Sequence, residues 1–350
     1  MSRSQFCYVA AATLLAGVLG ASGYAQGSEA EVKRGEFLGA RPTEYPAWFK
    51  ESFLDFHEDI EEARQAGKRV LVMFHQDGCP YCSQLVEVNL AQKDIESYVR
   101  DRFDVIAVNM WGDREVVTVA GKAYTEKTFA AALRVQFTPT LIFFDEQGKV
   151  ALRLNGYQPP AEFKLALQYV AEKREQAQPY RDYLEAHLPP PRKKRLNREP
   201  FFAKAPYNLS RSGNAKPVAV FFEQLDCPNC DTLHARVLAD GVTRELLQKF
   251  DTVQLDMWSH TPVTTPGDQP TTAREWARQL NISYAPSIVL FDSTGAEVIR
   301  SEAFFKTFHT QSLLDYVLSG GYRHEPNFQR FISERAEALR DQGIDVDIFN

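Results

Sequence analysis

The chain has 350 residues, of which 44% are hydrophobic and 25% are charged, and its formal net charge is −6. This composition is that of a globular protein with enough residues for two hydrophobic cores. The acidic balance gives no support to a nucleic-acid partner, which would require a basic surface.

The first 25 residues have the pattern of a signal peptide. Arg3 supplies a positive charge, residues 6–21 form an apolar run, and small residues precede a cleavage point before Gln26. The run is too short for a comfortable membrane span, and an uncleaved anchor is the alternative. We therefore expect export, to the periplasm, and removal of residues 1–25 together with Cys7.

The next part of the chain predicts a mobile segment, a helix and a strand. Residues 26–44 are polar and are expected to be mobile. Apolar side chains at near-helical spacing over residues 46–65 predict a helix that packs on the first domain. The short apolar run at residues 70–74 predicts a buried strand, which a turn at Gly78 ends.

The turn leads into Cys79-Pro80-Tyr81-Cys82, at the start of a second predicted helix. A helix N-terminus stabilises a thiolate through its free N–H groups and its dipole. By position, Cys79 attacks a substrate disulfide, and Cys82, about one turn later, resolves the mixed disulfide. Pro80 fits an early helix position, where its missing N–H leaves no hydrogen bond unmade.

The same arrangement occurs twice. Cys227-Pro228-Asn229-Cys230 follows a second apolar run, 148 positions after the first motif (227 − 79). Downstream, residues 105–113 are echoed by 252–260, and residues 134–150 by 281–298. Such self-similarity predicts two copies of one domain of about 150 residues.

Strands that alternate with helices predict an α/β sheet with a crossover connection. With C-P-x-C after the first strand and a Thr-Pro or Ala-Pro pair before a later strand, each copy resembles the thioredoxin fold. The resemblance covers residues 45–178 and 206–322. It implies a cis proline beside the disulfide, and its substrate-contacting residues here would be Pro80, Tyr81, Thr138, Pro139, Pro228, Asn229, Ala285 and Pro286.

The resemblance also implies a function and partners. The segment that follows Trp111 is most similar to periplasmic thioredoxins encoded with bacterial sulfur-oxidation systems, the SoxW type. By that resemblance the chain is a thiol:disulfide oxidoreductase that acts on disulfides in exported proteins. Its electron donor would be a membrane thiol transporter.

Between and after the two copies, the composition changes. Residues 179–205 contain three consecutive prolines followed by four basic residues, which predicts a solvated linker. A basic patch for an acidic partner or lipid head groups is the alternative. Residues 323–350 predict a terminal helix over residues 327–340.

The four cysteines Cys79, Cys82, Cys227 and Cys230 remain after signal removal, and all belong to the two motifs. None is left for a structural disulfide, so we expect exchange chemistry with no metal and no cofactor. Three alternatives stay open: a zinc site shared by the four cysteines, a Cu(I) metallochaperone in which His75 or His234 joins a cysteine pair, and a redox-inactive client-binding module.

Two departures from the thioredoxin pattern concern reactivity. Met73 and Phe221 replace the buried acid that usually helps to deprotonate the resolving cysteine. Asp226, directly before Cys227, should raise the pKa of that thiol by repulsion between like charges. The sequence therefore predicts that Cys79 exchanges faster than Cys227.

Overall fold

The computed structural model describes residues 33–211 and 216–349. The predicted signal peptide, residues 1–25, lies outside these ranges. No helix in the described part of the chain combines the length and the apolar character needed to cross a membrane.

The first half of the chain forms one α/β domain. Its elements, in chain order, are β1 (Phe37–Leu38), α1 (Phe56–Gln65), β2 (Arg69–His75), α2 (Pro80–Gln84), α3 (Lys93–Arg102), β3 (Phe103–Asn109), β4 (Glu115–Val117), β5 (Ala123–Thr125), α4 (Glu126–Ala132), β6 (Thr140–Phe144), β7 (Val150–Asn155) and α5 (Pro160–Ala171). The central sheet has the order β3-β2-β6-β7, in which only β2 and β3 are parallel. Because hydrophobic clusters cover both faces of β2, that strand is apolar along almost its whole length.

The second half repeats this architecture. Its elements are α6 (Tyr180–His187), β8 (Tyr207–Asn208), β9 (Val218–Glu223), α7 (Pro228–Thr232), α8 (Gly241–Leu247), β10 (Asp251–Asp256), β11 (Pro262–Thr264), β12 (Pro270–Thr272), α9 (Ala273–Gln279), β13 (Ser287–Phe291), β14 (Glu297–Ser301), α10 (Thr307–Leu318), α11 (Phe328–Asp341) and β15 (Val346–Asp347). The sheet order β10-β9-β13-β14 matches that of the first domain. The predicted α/β fold and its duplication are confirmed.

The helix predicted over residues 46–65 is wrong in its first half, because α1 begins only at Phe56. Asp55 is the N-cap, and its side chain accepts hydrogen bonds from two backbone N–H groups of the first turn. Leu54 has a φ of 63°, a left-handed conformation that a right-handed helix cannot include. The aromatic side chains of residues 45–49 pack against the core from irregular backbone, whereas Phe53 is fully exposed.

Two segments expected to be extended or mobile contain regular structure. Residues 179–205 were expected to form a solvated linker, but α6 occupies residues 180–187. Within the polar segment 26–44, β1 pairs in parallel with β15, so the beginning and the end of the described chain lie side by side.

Each domain is followed by a helix that packs on that domain and also contacts the other domain. Arg181 of α6 donates hydrogen bonds to the carbonyl oxygens of Ile282 and Met257 in the second domain. Gln329 of α11 donates to the carbonyl of Gln136 at 3.0 Å and accepts from the Gln76 side chain at 2.9 Å, both in the first domain. The two domains are thereby held together by reciprocal contacts.

Candidate active site

The first motif lies at the N-terminus of α2, where Cys79 is the N-cap and forms a disulfide with Cys82. The backbone N–H of Cys82 donates to Cys79 Sγ at 3.1 Å. The same sulfur lies 3.5 Å from the carbonyl oxygen of Thr138, and the Thr138–Pro139 peptide bond is cis. Cys79 is 3% exposed and Cys82 is fully buried.

The second motif has the same local geometry. Cys227 is the N-cap of α7 and is bonded to Cys230, whose N–H donates to Cys227 Sγ at 3.0 Å. Cys227 Sγ lies 3.5 Å from the carbonyl of Ala285, which precedes the cis peptide bond to Pro286. In both domains the segment with the cis proline lies beside the C-x-x-C motif, as the sequence predicts.

This arrangement suits thiol–disulfide exchange. The amide that faces the first sulfur, together with the helix N-terminus, stabilises that sulfur as a thiolate once the disulfide is reduced. The second sulfur is one helical turn away and is shielded, so that it can attack only the first. This geometry fits the predicted roles, in which the first cysteine of each pair attacks and the second resolves.

The two motifs differ in what covers them. Tyr81 is buried: its hydroxyl accepts from the backbone N–H of Lys306, and its ring packs against Phe305, His309 and Phe349, all beyond the first domain. Burial raises the pKa of the Tyr81 hydroxyl. In the second motif, Pro228 is exposed, and Asn229 donates a hydrogen bond to the Tyr284 hydroxyl at 2.6 Å.

A cleft of about 460 Å³ lies beside Cys79, between the first domain, α10 and α11. Besides the motif itself, it is lined by Trp111, Phe137, Phe305, His309, Ile332 and Ala336. The residues from the second domain and α11 were missed by sequence reasoning, because no local pattern records contacts between residues some 200 positions apart.

The linker also reaches the second motif. Asp226 accepts hydrogen bonds from the backbone N–H groups of Arg192 and Lys193, which offset part of its charge. Lys193 pairs with Asp231 on α7 at 2.6 Å. The repulsion between Asp226 and a thiolate at Cys227 is therefore weaker than the sequence alone predicts. The motif of Cys79, by contrast, is covered by more of the protein than its sequence indicates.

A buried polar network lies beside the second motif helix. Glu223 is fully buried and lies 3.0 Å from Nε2 of His234, whose Nδ1 lies 3.1 Å from Glu199. Burial disfavours the charged imidazole, but the hydrogen bonds to the two carboxylates outweigh it and raise the pKa of His234. Phe221, which occupies the position of the buried acid in the thioredoxin pattern, is a fully buried apolar side chain.

The geometry bears on the metal-binding alternatives. Both ring nitrogens of His234 face carboxylates, so this histidine does not complete a site with Cys227 and Cys230. His75 packs against the ring of Tyr45. Within residues 33–211 and 216–349, no three His, Cys, Asp or Glu side chains are grouped as a metal site requires, so the four cysteines form no shared zinc site.

Comparison with known proteins gives one family. The profile of the thioredoxin-like domain family matches residues 56–171 and 211–318, more than half of the chain, and both ranges lie within the predicted domains. No curated protein matches the sequence.

Solved structures with some likeness include three bacterial proteins. A thioredoxin-fold protein from Helicobacter pylori is 22% identical, with a TM-score of 0.31, and the match covers 38% of this chain and 95% of that one. A thioredoxin from Thermus thermophilus is 24% identical, with a TM-score of 0.28, and the match covers 40% of this chain and 89% of that one. The oxidised C-terminal domain of DsbD from Neisseria meningitidis is 19% identical, with a TM-score of 0.24, and the match covers 34% of this chain and 90% of that one. With TM-scores this low, these likenesses add nothing to the family match.

The family match covers both copies, and each copy holds a disulfide-bonded C-x-x-C pair at a helix N-terminus. The chain therefore belongs to the thioredoxin-like domain family, of which it carries two domains in tandem, and it is a thiol–disulfide oxidoreductase.

Proposed function

We propose that this chain works in the periplasm, where it reduces or exchanges disulfides in exported proteins. The observation that carries the proposal is the pairing at each motif. A sulfur at a helix N-terminus faces an amide N–H at 3.0–3.1 Å, and a shielded second cysteine lies one turn away. Such a pair stores two electrons as a dithiol and releases them as a disulfide.

In the reducing direction, the Cys79 thiolate attacks one sulfur of a client disulfide and displaces the other sulfur as a thiolate. The Cys82 thiolate then attacks Cys79 Sγ, releases the client and closes the Cys79–Cys82 disulfide. Two electrons pass to the client, and the two protons of the dithiol end on the two client thiols. Cys227 and Cys230 follow the same steps in the second domain.

A chain used in this way must be reduced again after each turnover. All four cysteines of the predicted mature chain lie in the two pairs, so the two electrons have to come from thiols outside this chain. A membrane thiol transporter that delivers electrons across the inner membrane is the donor that fits the predicted export. Fractionation of cells that carry the full-length chain tests the location: recovery in the cytoplasm would contradict the periplasmic role.

The reduction potential of each pair tests the direction of electron flow. Two variants isolate the pairs: Cys227→Ser with Cys230→Ser leaves the first, and Cys79→Ser with Cys82→Ser leaves the second. Equilibration in dithiothreitol buffers is expected to give reduction potentials of about −270 mV, as for thioredoxin. Potentials of about −120 mV would make the chain a disulfide donor and overturn the proposed reducing role.

A further inference from the structure

The basic segment (residues 192–198), which the sequence predicts to be part of a solvated linker, is bound to the second motif. The backbone N–H groups of Arg192 and Lys193 donate to Asp226, directly before the motif. Nζ of Lys193 also pairs at 2.6 Å with Asp231, directly after the motif. The two aspartates that flank the redox pair therefore hold the basic segment beside it.

The far end of the basic segment is anchored as well. Glu199 lies 3.1 Å from Nδ1 of His234 and 3.7 Å from the guanidinium of Arg244. His234 in turn contacts Glu223, which is fully buried. Because both ends are bonded to the second domain, the segment cannot move away from Cys227 without breaking these contacts.

A cleft of about 580 Å³ lies beside the basic segment. Two carboxylates line it, Glu199 and Asp256, and the charge of the first is offset by His234 and Arg244. Its lining also includes four exposed basic side chains that have no ion-pair or hydrogen-bond partner in the described part of the chain: Lys194, Arg195, Arg198 and Lys204. The cleft is therefore positively charged, although the net charge of the chain is −6.

The cleft is within reach of a client that is bonded to Cys227. Leu225 lines the cleft, and its Cα is at most about 7.6 Å from that of Cys227, since consecutive Cα atoms lie about 3.8 Å apart. A mixed disulfide places the Cα of the client cysteine within about 6.8 Å of the Cys227 Cα. An extended client covers the sum of these two distances in about four or five residues.

Screening by salt lets these local charges decide the sign of the interaction. At about 0.1 M salt the Debye length is about 10 Å, so charges elsewhere on the acidic chain contribute little at the cleft. The cleft beside the first motif differs, because the charged side chains that line it are Asp77, Glu337 and Arg340. An acidic client is therefore attracted to the second motif and not to the first.

We infer that the Cys227 site acts on disulfides flanked by acidic residues, which the cleft binds through its four basic side chains. This substrate class rests on the proposed exchange function. The acidic residues lie within about five positions of the client cysteine, the reach of an extended chain. Anionic lipid head groups would be attracted by the same charges, but they bring no disulfide to Cys227.

The test uses the full chain with only the second pair active (Cys79→Ser with Cys82→Ser). The two clients are disulfide-linked dimers of unstructured ten-residue peptides that carry either four glutamates or four glutamines beside one cysteine. Each rate is divided by the rate of the same client with dithiothreitol, which removes differences in intrinsic reactivity. At about 0.1 M salt the glutamate peptide is expected to be favoured by about tenfold, and at about 1 M salt this preference should vanish.

Lys194→Glu with Arg195→Glu, which reverses two charges of the cleft, is expected to bring the ratio to one or below. Lys93→Glu with Lys149→Glu is the matched control, because it changes the net charge by the same amount. Lys93 and Lys149 are exposed residues of the first domain that do not line the cleft. The control is expected to leave the ratio unchanged.

The chain with only the first pair active (Cys227→Ser with Cys230→Ser) is expected to show no preference for the glutamate peptide, and an equal preference there would overturn the assignment to the cleft. A ratio near one with the second pair, or a ratio that Lys194→Glu with Arg195→Glu leaves unaltered, would overturn the substrate class and leave the exchange function standing. So would binding to phosphatidylglycerol vesicles that these two substitutions abolish while the peptide ratio stays the same. No exchange with either client would overturn the proposed function and this inference together.

Discussion

The side chain of Asn155 donates a hydrogen bond to the carboxylate of Glu302 at 2.7 Å, and these two residues occupy the same position in the two repeats. They are 147 positions apart (302 − 155), as are Pro139 and Pro286 (286 − 139). A residue that touches its own counterpart lies close to a two-fold axis. The two domains are therefore packed about an approximate two-fold axis that passes near β7 and β14.

Gly156, next on the chain, offers a test of this packing. Its φ is +83°, and a Cβ added to it would lie 2.4 Å from the Cβ of Ala303, its counterpart. Gly156→Ala is expected to lower the free energy of unfolding by about 2–4 kcal/mol, because backbone strain and a clash between the domains add. Urea unfolding measures the loss.

The control for Gly156→Ala is Gly67→Ala. Gly67 has a similar φ of +72°, but a Cβ there would meet nothing within 4 Å. It should show the backbone strain alone, about 1–2 kcal/mol. Equal losses in the two variants would mean that the domains are not in close contact at Gly156.

Arg181 is expected to hold α6 on the second domain. Its guanidinium is buried, lies 4.1 Å from the centre of the Trp258 ring, and donates to two backbone carbonyls; burial lowers its pKa to about 10. Arg181→Ala leaves those carbonyls without their donor and is expected to lower the free energy of unfolding by about 2–4 kcal/mol.

Arg278→Ala is the matched control. Arg278 lies on α9, is half-exposed, and makes an ion pair with Asp182 of α6, the helix that also holds Arg181. A surface pair of this kind is worth about 1 kcal/mol or less. If the two arginine variants lose similar amounts of free energy, the buried hydrogen bonds of Arg181 are not what holds the helix.

His309 should make the protein less stable in acid. Burial lowers the pKa of its imidazole to about 4, below the usual 6.5. Between pH 6.5 and 4 the unfolded chain therefore binds a proton at this residue that the folded chain does not, and stability falls as the pH drops through this window. The loss is at most about 3 kcal/mol, at about 1.36 kcal/mol per pKa unit.

His309→Phe removes the titrating group but keeps a ring against Tyr81. The difference in free energy of unfolding between wild type and this variant, measured by urea unfolding from pH 7.5 to pH 4, isolates the contribution of His309 from that of the carboxylates. A difference that does not change with pH would contradict the prediction.

Alkylation rates should distinguish the two attacking cysteines. Cys79 and Cys227 are themselves almost equally buried, at 3% and 4% exposed, but their neighbours differ. The motif of Cys79 is covered by Tyr81 and its contacts in the second domain, whereas Pro228 beside Cys227 is exposed, so less of the protein has to move for a reagent to reach Cys227. In the reduced protein we expect iodoacetamide to modify Cys227 several-fold faster than Cys79, the reverse of the order that Asp226 alone predicted. Mass spectrometry of peptides after short exposure measures both rates. A faster Cys79 would mean that the charge of Asp226 outweighs the cover.

Much of each domain could be predicted from the sequence, because its signals are local. The apolar run before Cys79 and the proline at residue 139 mark the buried strand and the turn that meets it, and both recur in the second copy. The sequence analysis did not predict helix α6, although its apolar residues have helical spacing. The three prolines that follow it favour an extended linker, and the prediction extended that linker over the helix as well.

The docking of α11 could not be predicted from local pattern. Gln76 and Gln329 are bonded across 253 positions, and an amphipathic helix shows that one face is buried without showing what buries it. The cleft beside Cys79 and the residues that the second domain adds to it follow from that docking. For the same reason the burial of Tyr81 has no sequence signal.

Carrying both copies in one chain has a consequence for the residues near the axis. In a dimer of identical subunits, an isologous interface places each axial residue against itself, so Glu302 would face a second glutamate and their charges would repel. In a covalent duplication the two copies of an axial position can carry different residues. Asn155 therefore faces Glu302, and Gly156 leaves room for the side chain of Ala303. The same freedom has left Tyr81 of one motif buried against the other domain, while Pro228 of the second motif is exposed.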